Sequence, residues 1–237
     1  MQREYQKWKS PSLGKEMEIL VFGKSGTPVI VFPSEEGRFY EWEDQGVIEA
    51  ASYQIENGYN QIFCIDSVSS ESLLNKSVDP YVRIMRENQY QDYIVDEVLP
   101  FISEQNTNPY VMSAGFGLGA YQALNLALKH PELFDKVIGI SGNYDLNIYL
   151  DGFKDDNSYF NNPIEFVPNL NDSSILSSIS SVDIRLISYL NDPNKVATQK
   201  MSDILWLKFI EHNLYVWDEL ASDPWSLVPS MFVDNLI

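Results

Sequence analysis

The chain has 237 residues and carries 34 acids against 16 lysines and arginines, a formal net charge of −18. Such a balance repels phosphate backbones and anionic lipid surfaces, which disfavours nucleic acid and peripheral membrane as partners. Hydrophobic residues at 44% and aromatics at 13% supply ample material for a core, so disorder by composition is not expected.

The length suits one large α/β domain spanning 1–237. Cys64, the single cysteine, lies in the apolar run QIFCIDSV and reads as a small buried hydrophobe without a disulfide partner. The opening MQREYQKWKSPSLGKEMEIL has no apolar segment after its basic residues, and no stretch reaches the ~20 apolar residues that span a bilayer. A soluble cytoplasmic protein is the expectation.

In chain order, EMEILVFG reads as a half-buried strand and TPVIVFP as a central strand covered on both faces. YEWEDQGVIEAASYQIENG predicts one helix, with Trp42, Val47, Ala50, Ala51 and Ile55 at helical spacing and Gly58 near its end. YNQIFCIDSV is the next buried strand. A long helix follows Pro80, with Pro100 expected to bend or interrupt it. Then come the strand PYVMSAG, the helix LGAYQALNLALKH and the strand KVIGISG.

Residues 144–181 are irregular and rich in Asn, Asp, Ser and aromatics, which suggests a cap above the sheet. Its Tyr149, Phe153, Tyr159, Phe160 and Phe166 are candidates to line a pocket. DIRLISYL, VATQKMSDILWLKFIEH, LYVWDE and WSLVPSMFVDNLI complete the chain as strand, helix, strand and terminal helix. This alternation predicts a mostly parallel sheet with helices on both faces, whose sites form beyond the carboxyl ends of the strands.

The turn in VMSAGFGLGAYQAL sits at such an end. Gly115, Gly117 and Ala120 match the dinucleotide fingerprint G-x-G-x-x-A, but the turn comes mid-chain and no clean acid ends the following strand. Registered instead as a nucleophile elbow G-x-S-x-G, Gly115 and Gly119 are the outer glycines and Gly117 takes the nucleophile position. A tight strand–helix crossing without chemistry fits the same residues. The Leu118 N–H, at a helix N-terminus, and the loop PSEEGRFYEWED, with Ser34 and Glu35 at its start, are the places where an oxyanion hole of this fold would form. Glu35 and Glu36 would repel an anion if turned inward, and the expectation is that they face solvent.

Over nearly its whole length the chain resembles the esterase D-like "putative esterase" branch of the α/β-hydrolases. PVIVFPSEEGRFYEWEDQGVIEA, GLGAYQALNLALKHPELFDKVIGISGNYDLNIYLDG, NSYFNNPIEFVPNL and ISYLNDPNKVATQKMSDIL carry the likeness. The resemblance implies an α/β-hydrolase fold and a triad of serine, acid and histidine. The serine position is Gly117, the acid position is Asp192, and the histidine position in ASDPWSLVP is Ser222, followed by Asp223.

Neither histidine is placed to substitute. His130 ends the elbow helix, roughly 18 Å from its start at ~1.5 Å per residue, and His212 precedes the last strand. Ser113 lies within the strand and reads as buried. No metal spacing stands out, DGFKDDN (151–157) lacks a calcium-loop pattern, and no cofactor is expected.

The sequence reading is therefore an esterase-like protein with decayed catalytic machinery, binding a small acyl or carbonyl ligand in the residual cleft or a protein partner. An ester hydrolase using Asp192 with Ser222 or Asp223 is one alternative, and a nucleotide-dependent reductase another. The oligomeric state is not legible.

Overall fold

A computed structural model describes residues 1–236. Its eight strands are β1 (Arg3–Lys9), β2 (Glu16–Phe22), β3 (Thr27–Phe32), β4 (Asn60–Ile65), β5 (Met112–Phe116), β6 (Lys136–Ile140), β7 (Asp183–Tyr189) and β8 (Asn213–Trp217). They form one sheet in the order β1-β2-β4-β3-β5-β6-β7-β8. β1 and β2 run antiparallel to their neighbours, and the pairs from β4 to β8 are all parallel. This is the α/β arrangement expected from the alternating pattern.

The period of two along each strand sorts side chains into two cores. Ile19, Val21, Ile30, Phe32, Phe63, Val137 and Leu186 face one layer of helices. That layer is α4 (Pro80–Tyr93), α5 (Leu99–Gln105), α6 (Leu118–Lys129) and α11 (Lys195–Leu207), with the cap helices α7 (Asn147–Leu150), α8 (Asp156–Phe160), α9 (Pro163–Phe166) and α10 (Ser173–Ser180) beside it. Leu20, Val29, Val31, Ile62, Cys64, Ala114 and Ile138 face the other layer, made of α1 (Glu41–Asp44), α2 (Val47–Ala50), α3 (Ser52–Glu56) and α12 (Val228–Val233). Cys64 is buried in that second core, where burial pushes its thiol pKa up, as suits an inert hydrophobe.

Four elements differ from the sequence expectation: the helix over 40–58, the stretch 144–181, which is not irregular but folds as α7 to α10, the terminal helix and β1. The helix expected over 40–58 is three short turns, because Gly46 takes a left-handed φ of 74° between the first two. Trp42, Val47, Ala51 and Ile55 still face the core, while Ala50 is exposed. The long helix after Pro80 is interrupted as expected: it widens into a π-helical turn over Ile94–Val98 just before Pro100, which sits in the first turn of α5. A proline ring collides with the carbonyl four residues earlier, so the backbone gives way upstream of it. The terminal helix is only Val228–Val233, with Pro229 in its first turn, where its missing N–H matters least. β1 was not foreseen as a strand. Tyr5 and Trp8 fall on opposite faces of it, so it shows no apolar stripe.

A polar network fastens the cap to this frame. The buried Glu87 carboxylate accepts hydrogen bonds from Ser72 Oγ (2.9 Å) and Gln122 Nε2 (2.9 Å), joining α4 to α6. Asn161, at the end of α8, accepts from Gln91, Asn125 and Lys129 through its side-chain oxygen, and its carbonyl accepts from Tyr121 Oη (2.7 Å). Burial raises the Glu87 pKa above its ordinary 4.5, against the two hydrogen bonds that favour the ion.

A carboxyl with a raised native pKa contributes fully below the unfolded value and loses that contribution as pH rises through the native value. Gln122 Oε1 has no partner in its present orientation, and a neutral amide at position 87 would satisfy it after a flip. Glu87→Gln is therefore expected to match or exceed the wild type in urea stability at pH 7.5. The advantage should shrink toward zero at pH 4.5; an advantage that grows on acidification contradicts this account.

Candidate active site

β5 runs into α6 through Gly117 alone, which holds φ 59° and ψ −119°. A side-chain-bearing residue holds such a backbone only at a cost of about 1–3 kcal/mol. The flanking glycines are set by packing. A Cβ on Gly115 would press into the backbone of Gly119, and one on Gly119 into the carbonyls of Phe32 and Pro33. The helix thus crosses β5 and β3 at backbone contact, which accounts for both outer glycines.

The space above Gly117 is filled. A Cβ at that position would lie 2.5 Å from Glu35 Oε1 and 2.7 Å from Oε2. Glu35 Oε1 in turn accepts the Leu118 N–H at 3.2 Å. This corrects the expectation that Glu35 faces solvent: Glu35 is half-buried and turned onto the elbow, whereas Glu36 is exposed. The physical reason is the free N–H groups and positive dipole end of the twelve-residue helix α6, which has no side-chain cap of its own.

The loop after β3 is occupied in the same way. Ser34 donates both its N–H (2.7 Å) and its Oγ–H (2.6 Å) to the Glu41 carboxylate. Burial raises the Glu41 pKa, against these two bonds. Both candidate oxyanion donors, at Leu118 and Ser34, are therefore bonded to carboxylates of the chain itself. Glu41 was missed in the sequence because its role depends on a turn that brings residue 41 back onto residue 34.

Asp192 lies beyond the end of β7, buried, with Oδ1 accepting from Ser141 Oγ (2.6 Å) and the Asn194 N–H (2.8 Å). Its Oδ2 is buried without a partner. Burial pushes its pKa up, against the hydrogen bonds from Ser141 and Asn194. Ser141 follows β6 and holds a left-handed φ of 51°.

Ser222 is exposed and is not brought into hydrogen bonding with Asp192. Asp223 is committed elsewhere, capping the short turn Pro224–Ser226 through the Trp225 N–H (3.1 Å). The Trp225 ring lies edge-on to Phe116 at 4.9 Å, beside the elbow. Asn191 ties this segment to the Asp192 loop by two bonds with the backbone of Ala221, 2.8 and 2.9 Å.

The histidines lie away from this cluster. His130 follows the last turn of α6, with Nδ1 3.7 Å from Glu132. His212 precedes β8, at the opposite end of the parallel strands from the elbow. Its Nδ1 donates to the Ile210 carbonyl (2.9 Å), and its Nε2 accepts from Ser202 Oγ (2.7 Å). This hydroxyl–imidazole pair is buried inside the α11–β8 packing, and burial lowers the His212 pKa. Ser113 is buried within β5.

Asp151 pairs with Arg83 (2.8 Å) and Lys76 (3.0 Å), and Asp155 caps α8. Among the described residues no group of three or more His, Cys, Asp or Glu is placed to hold a metal ion. Of the cap aromatics, Tyr159, Phe160 and Phe166 line a cavity of about 370 Å³ with Leu128 and Lys129, at the far end of α6 from Gly117. Phe153 packs instead near Tyr81.

An eight-stranded, mostly parallel sheet with a strand–turn–helix elbow and an acid beyond a late strand defines an α/β-hydrolase fold of the esterase type. The chain belongs to the "Putative esterase" family, whose family model matches residues 11–227. Its structure is similar to that of a ferulic acid esterase, at 13% identity and a TM-score of 0.79, covering 99% of this chain and 96% of that one. It is also similar to an S-formylglutathione hydrolase from Agrobacterium tumefaciens, at 14% identity and a TM-score of 0.75, covering 99% and 92%. The S-formylglutathione hydrolase FrmB from Staphylococcus aureus aligns at 14% identity and a TM-score of 0.70, covering 99% and 96%. No curated protein matches the sequence. No helix among the described residues is long and apolar enough to cross a membrane.

Gly117→Ser is expected to lower stability by about 1–3 kcal/mol from backbone strain, with a further loss from displacing Glu35. In a Glu35→Ala background the same substitution should cost on the order of 1 kcal/mol less, a coupling that a double-mutant cycle in urea resolves. Additive effects would show that the carboxylate and position 117 do not compete for one space.

Proposed function

We propose that this chain is a catalytically degenerate member of its family, an esterase-like protein that binds rather than cleaves. The observation that carries the reading is a carboxylate in the space that a side chain at position 117 would take. Gly117 offers no attacking oxygen, and Glu35 lies where a side chain at 117 would stand while holding the Leu118 N–H. Loss of the nucleophile or the histidine from such a triad lowers turnover by on the order of 10⁶. What remains without them is transition-state stabilisation by the oxyanion donors, and here an internal anion competes for those donors.

Asp192 retains the acid position, but its hydrogen-bonding partner is Ser141 and not an imidazole. A small acyl or carbonyl compound is the ligand that suits this cleft, since its oxygen could replace Glu35 at Leu118 without a reaction following. A protein partner that inserts a carbonyl at the same N–H is the macromolecular form of the same chemistry.

The test is turnover of p-nitrophenyl acetate. Wild type, Ser141→Ala and Ser202→Ala are all expected at the solvent rate. The triple change Gly117→Ser, Glu35→Ala, Ser222→His is expected to gain activity, because it returns the hydroxyl, frees the Leu118 N–H and supplies a base. Wild-type turnover well above solvent that disappears in either serine variant would replace this reading with an unconventional hydrolase.

A further inference from the structure

The two edges of the sheet are built differently. Edge strand β1 carries Arg3, Glu4, Lys7 and Lys9 among its seven residues, charges of the kind that keep an edge from pairing with another chain. Edge strand β8 reads Asn-Leu-Tyr-Val-Trp and carries none, and Tyr215 and Val216 are exposed on it.

Below β8, the end of α11 presents Trp206, Leu207 and Phe209 to solvent. Phe209 is held there against two preferences. Its backbone is left-handed, φ 56°, in a helix-ending turn closed by Phe209 N to Trp206 O (3.0 Å) and Ile210 N to Leu205 O (3.0 Å), a position that glycine normally fills. The residue is 90% exposed. Trp206, 55% exposed, packs against the His212 ring, tilted to it at 47° with centroids 4.6 Å apart. Above β8, Leu190 and Leu220 are both exposed, and Leu190 N–H bonds the carbonyl of Glu219 (3.1 Å), so the two leucines share one corner.

We propose that the β8 edge pairs antiparallel with the β8 edge of a second copy of this chain, joining two eight-stranded sheets into one. This inference does not rest on the functional reading above. A two-fold axis at Tyr215 sets Asn213 opposite the partner's Trp217 and carries the lower corner of each copy to the upper corner of the other. Phe209, Leu207 and Trp206 then meet Leu190 and Leu220 in both halves of a self-complementary interface. At roughly 150–250 Å² of surface per aromatic side chain, Trp206, Phe209 and Tyr215 (39% exposed) alone offer about 300–450 Å² per copy. That is around half of the ~800 Å² per partner of a standard stable interface before the backbone ladder and the leucines are added. The same axis opposes Glu211 to Glu219, a like-charge pair outside the apolar zone, so added salt should strengthen the pairing.

Sedimentation of the full chain over a concentration series, at low and high salt, tests this. A mass of twice 27.2 kDa is expected, with the dimer favoured by salt. Val216→Lys and Phe209→Gly should each weaken the dimer by about tenfold or more. Glycine suits the left-handed backbone at 209, so thermal unfolding of that variant should show a fold at least as stable as wild type, which separates lost association from lost folding. A wild type that stays monomeric throughout overturns the proposal. So does a dimer that both substitutions leave intact, since it must use another face.

Discussion

The carboxylate of Glu35 set against the start of α6 governs the rest of the site. A helix N-terminus beneath a sheet's carboxyl edge presents unpaired N–H groups and a partial positive charge, and something anionic or hydrogen-bonding must meet them. In a fold where a substrate oxygen can serve, the chain must keep that place open. Here Glu35 fills it, and Gly117 lets it do so because no side chain competes for the volume. Glu41 settles Ser34 in the same manner on the neighbouring loop. The two carboxylates join the Leu118 and Ser34 donors to the chain's own side chains, so the elbow and the neighbouring loop form one hydrogen-bonded junction.

That junction keeps its backbone form because the form is not maintained by chemistry. Gly115 and Gly119 allow β5, β3 and α6 to approach at backbone distance, and the 59° φ of Gly117 is the turn that connects strand to helix at that separation. With glycine at the centre, the turn does not store the strain that a side chain would introduce. A turn of this outline therefore forms with glycine at its centre, and its shape alone says nothing about turnover.

Most of the fold is legible in the sequence because it rests on patterns that repeat. Apolar runs mark β3, β4 and β6, and the glycine burst marks the elbow. What escapes is set by single residues or by distant ones. Gly46 divides a helix whose apolar spacing is otherwise sound. β1 carries its apolar residues on both faces, so nothing periodic announces it. In the site, Gly117 stands at the β5–α6 turn and Asp192 beyond β7, as their order in the chain leads one to expect, whereas Ser222 is exposed and makes no hydrogen bond with Asp192. The inward turn of Glu35, the bond from Ser141 to Asp192 and the grip of Glu41 on Ser34 depend on loops meeting in space, which no local spacing encodes.

Asp192 has a structural role that its hydrogen bonds define. A buried carboxylate without compensation is costly, and this one keeps an oxygen unpaired. Its other oxygen, however, organises the carboxyl edge of the sheet. It holds Ser141, whose left-handed backbone ends β6, and it accepts the Asn194 N–H that begins the turn into α11. Asn194 returns to the Ser141 carbonyl at 2.9 Å, so two strand ends are closed into one ring of hydrogen bonds. Asn191, beside it, anchors the segment bearing Ala221 and, through it, Trp225 against Phe116. The acid therefore has a structural duty independent of any imidazole. Its raised pKa reflects the burial that this duty requires, and by itself is no sign of a working triad.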